Sequence, residues 1–563
     1  MPPSGTRQRT RTSAGASSTE REQKVSEHLR GEVRVLLGAK LPEDRKEDGI
    51  ATALDGALDA IGKFYRQEAG APLFFRNANR RLYEIGGRAE SEFGRLVTYL
   101  TDSSVKKTLF GRCVDRLAAK VSETAEAVII HGLAFDSPDA AVIAINDFGG
   151  GMWFRERGGQ WERRPNGHAG ILFWAPSELV EPWKPEFGGE GIDKHHLDWF
   201  LGQAHFADDI LTSSDQRLLF RALLLLPFFP SRCRTRPVQA HLGLSQQRQH
   251  DTGKTMAGKM IGALLAGRNF EPMPPPEGTE KGIEALQLAL MHEPFVLLDN
   301  VDTEIKWLND FLCTYTTGAR PSKRKLYTDT QQVRVTYRGR LCLTSRKAKF
   351  NRVDVASRTI PFRFAPIEAA ERKTERQILG PLLARRGQIW AGILGALARI
   401  QDAVPELVIP PPRLRLADFE EFGWCAAAVE GQAHAWESAM VRLGAAQAGF
   451  ALEGEPFFPV LERLLTDGDL AEQSTAEFYA AVCRAGRELA LDLTLPADAA
   501  ACTKRLRELQ EVLEVRLDVR ISTRILHGTT LVQVRRGPSW PVLEVTEVTE
   551  VSPSLPDMQM VAA

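Results

Sequence analysis

No run of apolar residues in this 563-residue chain is long enough to cross a bilayer. The longest, 222–229, is eight residues and contains Pro227, whereas a spanning helix needs about 20. The first 22 residues are rich in Arg, Ser and Thr and have no apolar stretch, so no secretory signal is expected. Cysteine is sparse and scattered. Seven occur, at 113, 233, 313, 342, 425, 483 and 502, with no C-x-x-C pair, which argues against a disulfide or zinc framework. Net charge is absent as well: 72 Lys+Arg balance 72 Asp+Glu. That excludes a uniformly basic coat for polyanions but leaves local patches open. No segment repeats with a period of 20–50 residues. The expectation is a cytoplasmic, membrane-free protein of three or four domains, at ~150 residues per domain.

The order of residues predicts a multi-domain α/β chain. Residues 1–22 read as a disordered arm carrying Arg7, Arg9, Arg11 and Arg21, a solvated tail rather than a nucleic-acid arm. From 23 to 127 the pattern is mainly helical, interrupted by a hairpin turning at 77–79. Residues 128–190 alternate short β runs with Gly/Asn turns and end in a Pro/Gly-rich linker, predicting a small antiparallel sheet. Strand and helix alternate through the core at 191–366, the pattern of a parallel sheet. Helices dominate 367–469, a helix–helix–hairpin unit follows at 470–537, and 538–563 reads as a frayed tail.

The sharpest local signal is "AHLGLSQQRQHDTGKTMAGKMIGALLAG", an apolar strand, a polar loop and a helix. This is the setting a phosphate-binding loop requires. Asp251, Thr252, Gly253, Lys254, Thr255 and Met256 would cradle the phosphates at the helix N-terminus, where backbone N–H groups point outward. Lys254 would pair with β/γ-phosphate oxygens, and Thr255 would coordinate Mg²⁺. Arg248 stands where the first glycine of the loop is expected, and Asp251 where another glycine is common. Forty-five residues beyond Lys254, "FVLLDN" gives a strand ending at Asp299, placed to hold Mg²⁺ through water. Asn300 follows in place of the glutamate that polarises an attacking water; Asp302 and Glu304 are the substitutes at hand. Another 45 residues on, "GRLCLTSR" ends in Thr344 and Ser345, suited to sensing a γ-phosphate. Arg352 and Arg358 flank the acidic turn after it.

Together, "DTGKT", "FVLLDNVD", "RKLYTDTQQVRVTYRGRLCLTSR" and "FNRVDVASRTIPF" resemble the AAA+-type P-loop ATPase module of phage- and plasmid-encoded primase–helicases and superfamily III helicase-like proteins. The resemblance covers roughly 195–370. It implies a ring or partial-ring homo-oligomer that binds ATP and Mg²⁺ between subunits. Arg358, with Arg352 second, would be the arginine that reaches a neighbour's nucleotide. A primase half is not evident, since Asp136, Asp139 and Asp147 are scattered rather than paired. His195, His196 and His205 lack a third ligand and read as ordinary helix residues.

Local charge supplies the partner. Between 320 and 352 eleven Lys/Arg face one acid, Asp329, for a net +10. Lys323, Arg324, Lys325, Tyr327, Arg334, Tyr337 and Arg338 fall on a hairpin that, in the resembled helicases, grips DNA in the pore. The C-terminal unit opens with a capping box, Ser474 and Glu477, and carries Lys504, Arg505 and Arg507 on its second helix. A basic β-wing follows, so the unit resembles a winged helix that contacts DNA or docks protein. The leading expectation is an ATP-driven DNA translocase or helicase-like protein of a mobile element. Two others stay open: a DNA-binding or scaffold protein that binds ATP and hardly hydrolyses it, and an AAA+ regulator with a protein partner.

Overall fold

Four strands with almost uninterrupted burial form the centre of the protein: Val238–Gly243, Phe295–Leu298, Arg340–Ser345 and Thr359–Phe364. Strands apolar on both faces must be covered on both, which is the condition for a parallel sheet. In the computed structural model they are indeed all parallel. Across the sheet the order is Phe295–Leu298, Arg340–Ser345, Val238–Gly243, Thr359–Phe364. The structure describes residues 18–67, 71–86, 91–102, 107–244, 252–318, 322–324, 332–334, 337–346, 348–466, 468–491, 495–526 and 529–536. These divide into two units, one made of 1–350 and 358–442, the other of 351–357 and 443–563.

Helix Lys254–Ala266 lies on the sheet. A Cβ at Gly258 would come within 2.6 Å of the Leu297 side chain, so glycine sets how closely the helix approaches the strand. The C-terminal end of this helix is pinned by Arg386, whose guanidinium donates to the carbonyls of Leu264 at 2.9 Å and Leu265 at 3.2 Å. It also donates to Pro182 O and Glu181 O, tying in the segment that follows the β-rich region. A cation against the last carbonyls of a helix is favourable both to the dipole and to the orphan acceptors. Beside it Trp390 stacks on Trp183 at 3.7 Å between ring centres.

Toward the N-terminus, helices Ser18–Gly38, Glu43–Ile61, Glu92–Thr101 and Lys107–Thr124 enclose a four-stranded sheet. The hairpin of Pro72–Arg76 with Arg81–Glu84 turns where the sequence predicts. Strand Gly62–Gln67 does not follow the helical reading. Gly62 is the reason: a Cβ there would sit 2.3 Å from Phe75 O and 2.4 Å from the Phe74 ring, so the helix ends and the chain lies flat against its neighbour. The first helix starts at Ser18, inside the segment expected to be disordered, and its buried Glu22 accepts from Arg76 Nε at 3.0 Å. The rest of that arm, Arg7, Arg9 and Arg11 included, lies outside the described residues, as does the tail from 537. The β-rich region holds the expected antiparallel meander over 134–165, plus a parallel pair, Ile130–His131 with Leu172–Phe173. Its acids build turns and latches: Asp147 accepts from Gly149 N, Gly151 N and Arg163, and Asp136 accepts from Ser231 N at 2.7 Å.

In the second unit, helix Phe457–Thr466 precedes strand Leu470–Ser474, helices Thr475–Glu488 and Ala499–Leu517, and the hairpin of Val519–Leu526 with Thr529–Arg536. The strand was not legible, because "LAEQS" is short and polar. It becomes the third strand of the sheet by pairing Gln473 with Val532 and Ser474 with Leu531. Ser474 then caps the next helix through the expected box with Glu477. Phe478, Val482, Leu506, Leu513, Val532 and Val534 form its core.

Candidate functional site

The C-terminal ends of three parallel strands bring the predicted site residues together, as the chemistry of open α/β sheets requires. Gly253 has φ of +75°, a left-handed conformation that glycine adopts without strain, and it caps helix Lys254–Ala266. Thr255 Oγ1 donates to Asp299 Oδ1 at 2.7 Å, and Thr344 Oγ1 donates to the same oxygen at 2.6 Å. Asn300 N donates back to Thr344 Oγ1 at 2.9 Å, so the hydroxyl is fully engaged. Lys254 is nearly buried at this edge. Burial holds its amine below the usual lysine range, against the opposing pull of Asp302 and Asp299. Residues 245–251, which include Arg248 and Asp251, lie outside the described residues.

Asn300 has φ of +60°. Asparagine is among the non-glycine residues that tolerate this conformation best, a backbone reason for its presence where a glutamate was expected. Its side chain donates to Asp299 Oδ2 at 3.2 Å. The sequence offered Asp302 as a replacement acid, but its carboxylate is occupied. Ser345 Oγ donates to it at 3.0 Å, and Arg346 donates through both N and Nε at 2.6 Å. Burial alone would raise the carboxyl; these hydrogen bonds hold it below the usual range.

Behind the loop, buried His241 bridges strand and helix. Its Nδ1 lies 3.0 Å from Lys254 O, which can only accept, so Nδ1 carries the proton and Nε2 accepts from Gln239 Nε2 at 2.7 Å. Neither residue was singled out from sequence. Beside Gly253 and Met256 opens a cleft of about 500 Å³, with Ala204, Met260, Phe364 and Ile367 as apolar walls and Gln203, His205 and Arg372 among its polar groups.

Other predicted residues are placed elsewhere. Arg358 immediately precedes strand Thr359–Phe364, and its carbonyl accepts from Val238 N. The Lys254 carbonyl meets His241, which is level with Phe362, so Arg358 stands four residues back along the sheet, about 13 Å at ~3.3 Å per residue. Arg352, in the second unit, forms a two-pronged pair with Asp354 at 2.7 and 2.8 Å. The short strands Ser322–Arg324 and Gln332–Arg334 pair antiparallel, as the hairpin reading requires. The side chains of Lys323, Arg324 and Arg334, and the whole of Lys325 and Tyr327, lie outside the described residues. Tyr337 and Arg338 correct the reading. Tyr337 is buried against Phe311 and Tyr315 and has no face for a base. Arg338 stacks its guanidinium 4.6 Å from the Trp174 ring centre and donates to Met291 O at 3.1 Å. On helix Ala499–Leu517, Lys504 and Arg507 are exposed, but Arg505 is held by Glu455 and Glu508.

Residues 233–439 match a family model described as the actinomycete integrative conjugative element replication protein. No curated protein matches the chain. Among solved structures, the apo A form of the NrS-1 C-terminal region aligns with 86% of this chain and 99% of its own at 11% identity and a TM-score of 0.35. The JCV helicase with a bound thiazolopyridine compound aligns with 45% of this chain and 72% of its own at 13% identity and a TM-score of 0.22. Both structural likenesses are too loose to carry an argument. No helix among the described residues is long and apolar enough to cross a membrane.

Proposed function

We propose that the sheet-edge site binds ATP with Mg²⁺ and that the protein is an ATP-hydrolysing, helicase-like DNA translocase serving replication of a mobile element. The observation that carries the ATP reading is the convergence of Thr255 and Thr344 on one carboxylate oxygen of Asp299, with Lys254 alongside. The matched replication family supports the biological setting. Thr255 Oγ1 and Asp299 Oδ1 are hard oxygen donors side by side, so the donor set suits Mg²⁺, which these two residues would hold. The ion would supply charge neutralisation on the phosphates. Lys254 would hold the β/γ oxygens, the helix N-terminus the phosphate backbone, and the apolar cleft the base. Arg358 stands back from the nucleotide edge of its own sheet, and the role proposed for it is to serve a nucleotide on a neighbouring copy in a ring or partial ring. The helix–strand–helix–helix–hairpin order of the C-terminal unit supports a winged-helix assignment.

The test is steady-state ATP hydrolysis by the full chain, with and without single-stranded DNA, beside Lys254→Ala. DNA-stimulated turnover that the substitution abolishes is expected. Measurable ATP binding without turnover would overturn the motor.

A second reading, an ATP-gated DNA-binding protein with slow hydrolysis, is favoured by one feature. Asn300 replaces one acid and Asp302 is engaged by Ser345 and Arg346, which leaves the exposed Glu304, five residues beyond Asp299, as the other substitute.

A further inference from the structure

At the N-terminal ends of the parallel strands, opposite the nucleotide edge, lies a second cleft of about 590 Å³. Four arginines are among its lining residues, Arg234, Arg236, Arg338 and Arg340, with the Arg338 guanidinium turned to Trp174 and Met291 O. No Asp or Glu is among its lining residues. The sheet brings them together. Gln239 stands opposite Cys342 in the register, so Arg340 is level with 237, next to Arg236. The other wall is residues 129–134 of the β-rich region, and Gly132 permits the approach, since a Cβ there would meet Arg338 Cβ at 2.9 Å.

Like charges gathered in a partly buried space repel one another, and an anion relieves that cost. No acid lines the cleft itself: Asp418 accepts from the backbone N–H groups of Arg234 and Thr235, and the charge of Glu84 acts on Arg338. Arg338 is also part of the framework, and its Nε is a buried donor with no acceptor. Thr317, Gly318 and Tyr337 lie on the cleft wall. The residues that bracket the basic stretch 319–336 in sequence, with its five Lys/Arg and one acid, are thus both on this wall.

We propose that this cleft holds the sugar–phosphate backbone of a single DNA strand, with Arg234, Arg236 and Arg340 on its phosphates. A walled space of this volume admits one strand and no duplex. The inference rests on reading DNA as the partner, and it is independent of ATP hydrolysis.

The experiment is binding of a fluorescent 20-nucleotide oligothymidine to the full chain by anisotropy over a salt series, without nucleotide. Each phosphate contact contributes ~0.7 to the slope of log K against log salt for a single strand. The double variant Arg234→Gln/Arg340→Gln should lower the slope by ~1.4, with binding of a fluorescent ATP analogue unchanged. Wild-type binding with the same slope in the variant would overturn the cleft and spare the DNA reading. Absence of wild-type binding would overturn both. Equal competition by a duplex, or displacement by inorganic triphosphate at matched ionic strength, would also overturn the assignment. A readout on the unsubstituted protein guards against misfolding of the variant: photocrosslinking with 4-thiothymidine oligonucleotide should label peptides 129–134 or 233–236. Crosslinks confined to other peptides would refute the proposal.

Discussion

Thr344 donates its hydroxyl to Asp299 Oδ1 at 2.6 Å, joining the ends of two adjacent parallel strands through the oxygen that Thr255 also contacts. If Asp299 serves Mg²⁺, Thr344 orients it, and loss of the hydroxyl should affect the chemical step more than binding. Thr344→Val is expected to lower ATP turnover by about 10- to 100-fold with ATP affinity within a few-fold of wild type, and Thr344→Ser should restore most of it. Kinetics and nucleotide titration read the two effects separately; a purely weakened affinity would contradict the role.

Two histidines, His241 buried and His131 half-buried, make stability depend on pH. Burial pushes both His131 and His241 down to about 4, from 6.5 in an unfolded chain. Between these values the unfolded chain binds more protons, so stability rises with pH through the window from about 4 to 6.5 and levels off above it. As pH falls through that window, a few kcal/mol should be lost from the pair. His241 is enclosed by Phe220, Phe362 and Phe364, and desolvation with the charge of Lys254 outweighs the Lys254 carbonyl that would favour an imidazolium. Denaturant midpoints at pH 7.5 and 5 should differ less in His241→Gln than in wild type; identical pH dependence would count against the assignment.

Arg386 satisfies carbonyls at the end of helix Lys254–Ala266 and in the 181–182 segment, and burial lowers its guanidinium to about 10. Arg386→Leu leaves those acceptors unmatched and should destabilise the protein by about 3 kcal/mol. Thermal unfolding checks this. A melting temperature equal to wild type would mean that water replaces the guanidinium without loss.

The exposed Lys504 and Arg507 separate the two uses of the C-terminal unit. If it contacts duplex DNA, Lys504→Glu/Arg507→Glu should weaken duplex binding at least 10-fold at low salt and flatten its salt dependence. DNA-independent ATP hydrolysis should be unaffected. Unchanged duplex affinity would favour a protein-docking role instead.

The motif residues were legible because short local strings dictate them: a glycine before Lys254, an apolar strand into Asp299, another into Thr344. What escaped was decided by distant contacts. The Gly62–Gln67 strand depends on Phe74 and Phe75 lying over Gly62, and Leu470–Ser474 on a hairpin some 60 residues later. Arg338 was read as a DNA contact from its place in a basic run; a tryptophan more than 160 residues earlier in the chain takes its guanidinium. The engagement of Asp302 is likewise invisible in sequence, because Arg346 and Ser345 reach it from a neighbouring strand.

Strand Arg340–Ser345 runs from the arginine-lined cleft to the edge that carries Lys254 and Asp299, with Arg340 at one end and Thr344 near the other. Side chains alternate along a strand, so these two share parity and project to the same face. Their phase is therefore fixed by residue count. One residue added between them would rotate either the arginine or the threonine to the wrong side of the sheet, however apolar the newcomer. Two would restore the phase but carry one end past its partner by about 7 Å. This stretch is a ruler, intolerant of any change in length, whereas its composition has freedom at Leu341 and Leu343 for other residues of similar volume.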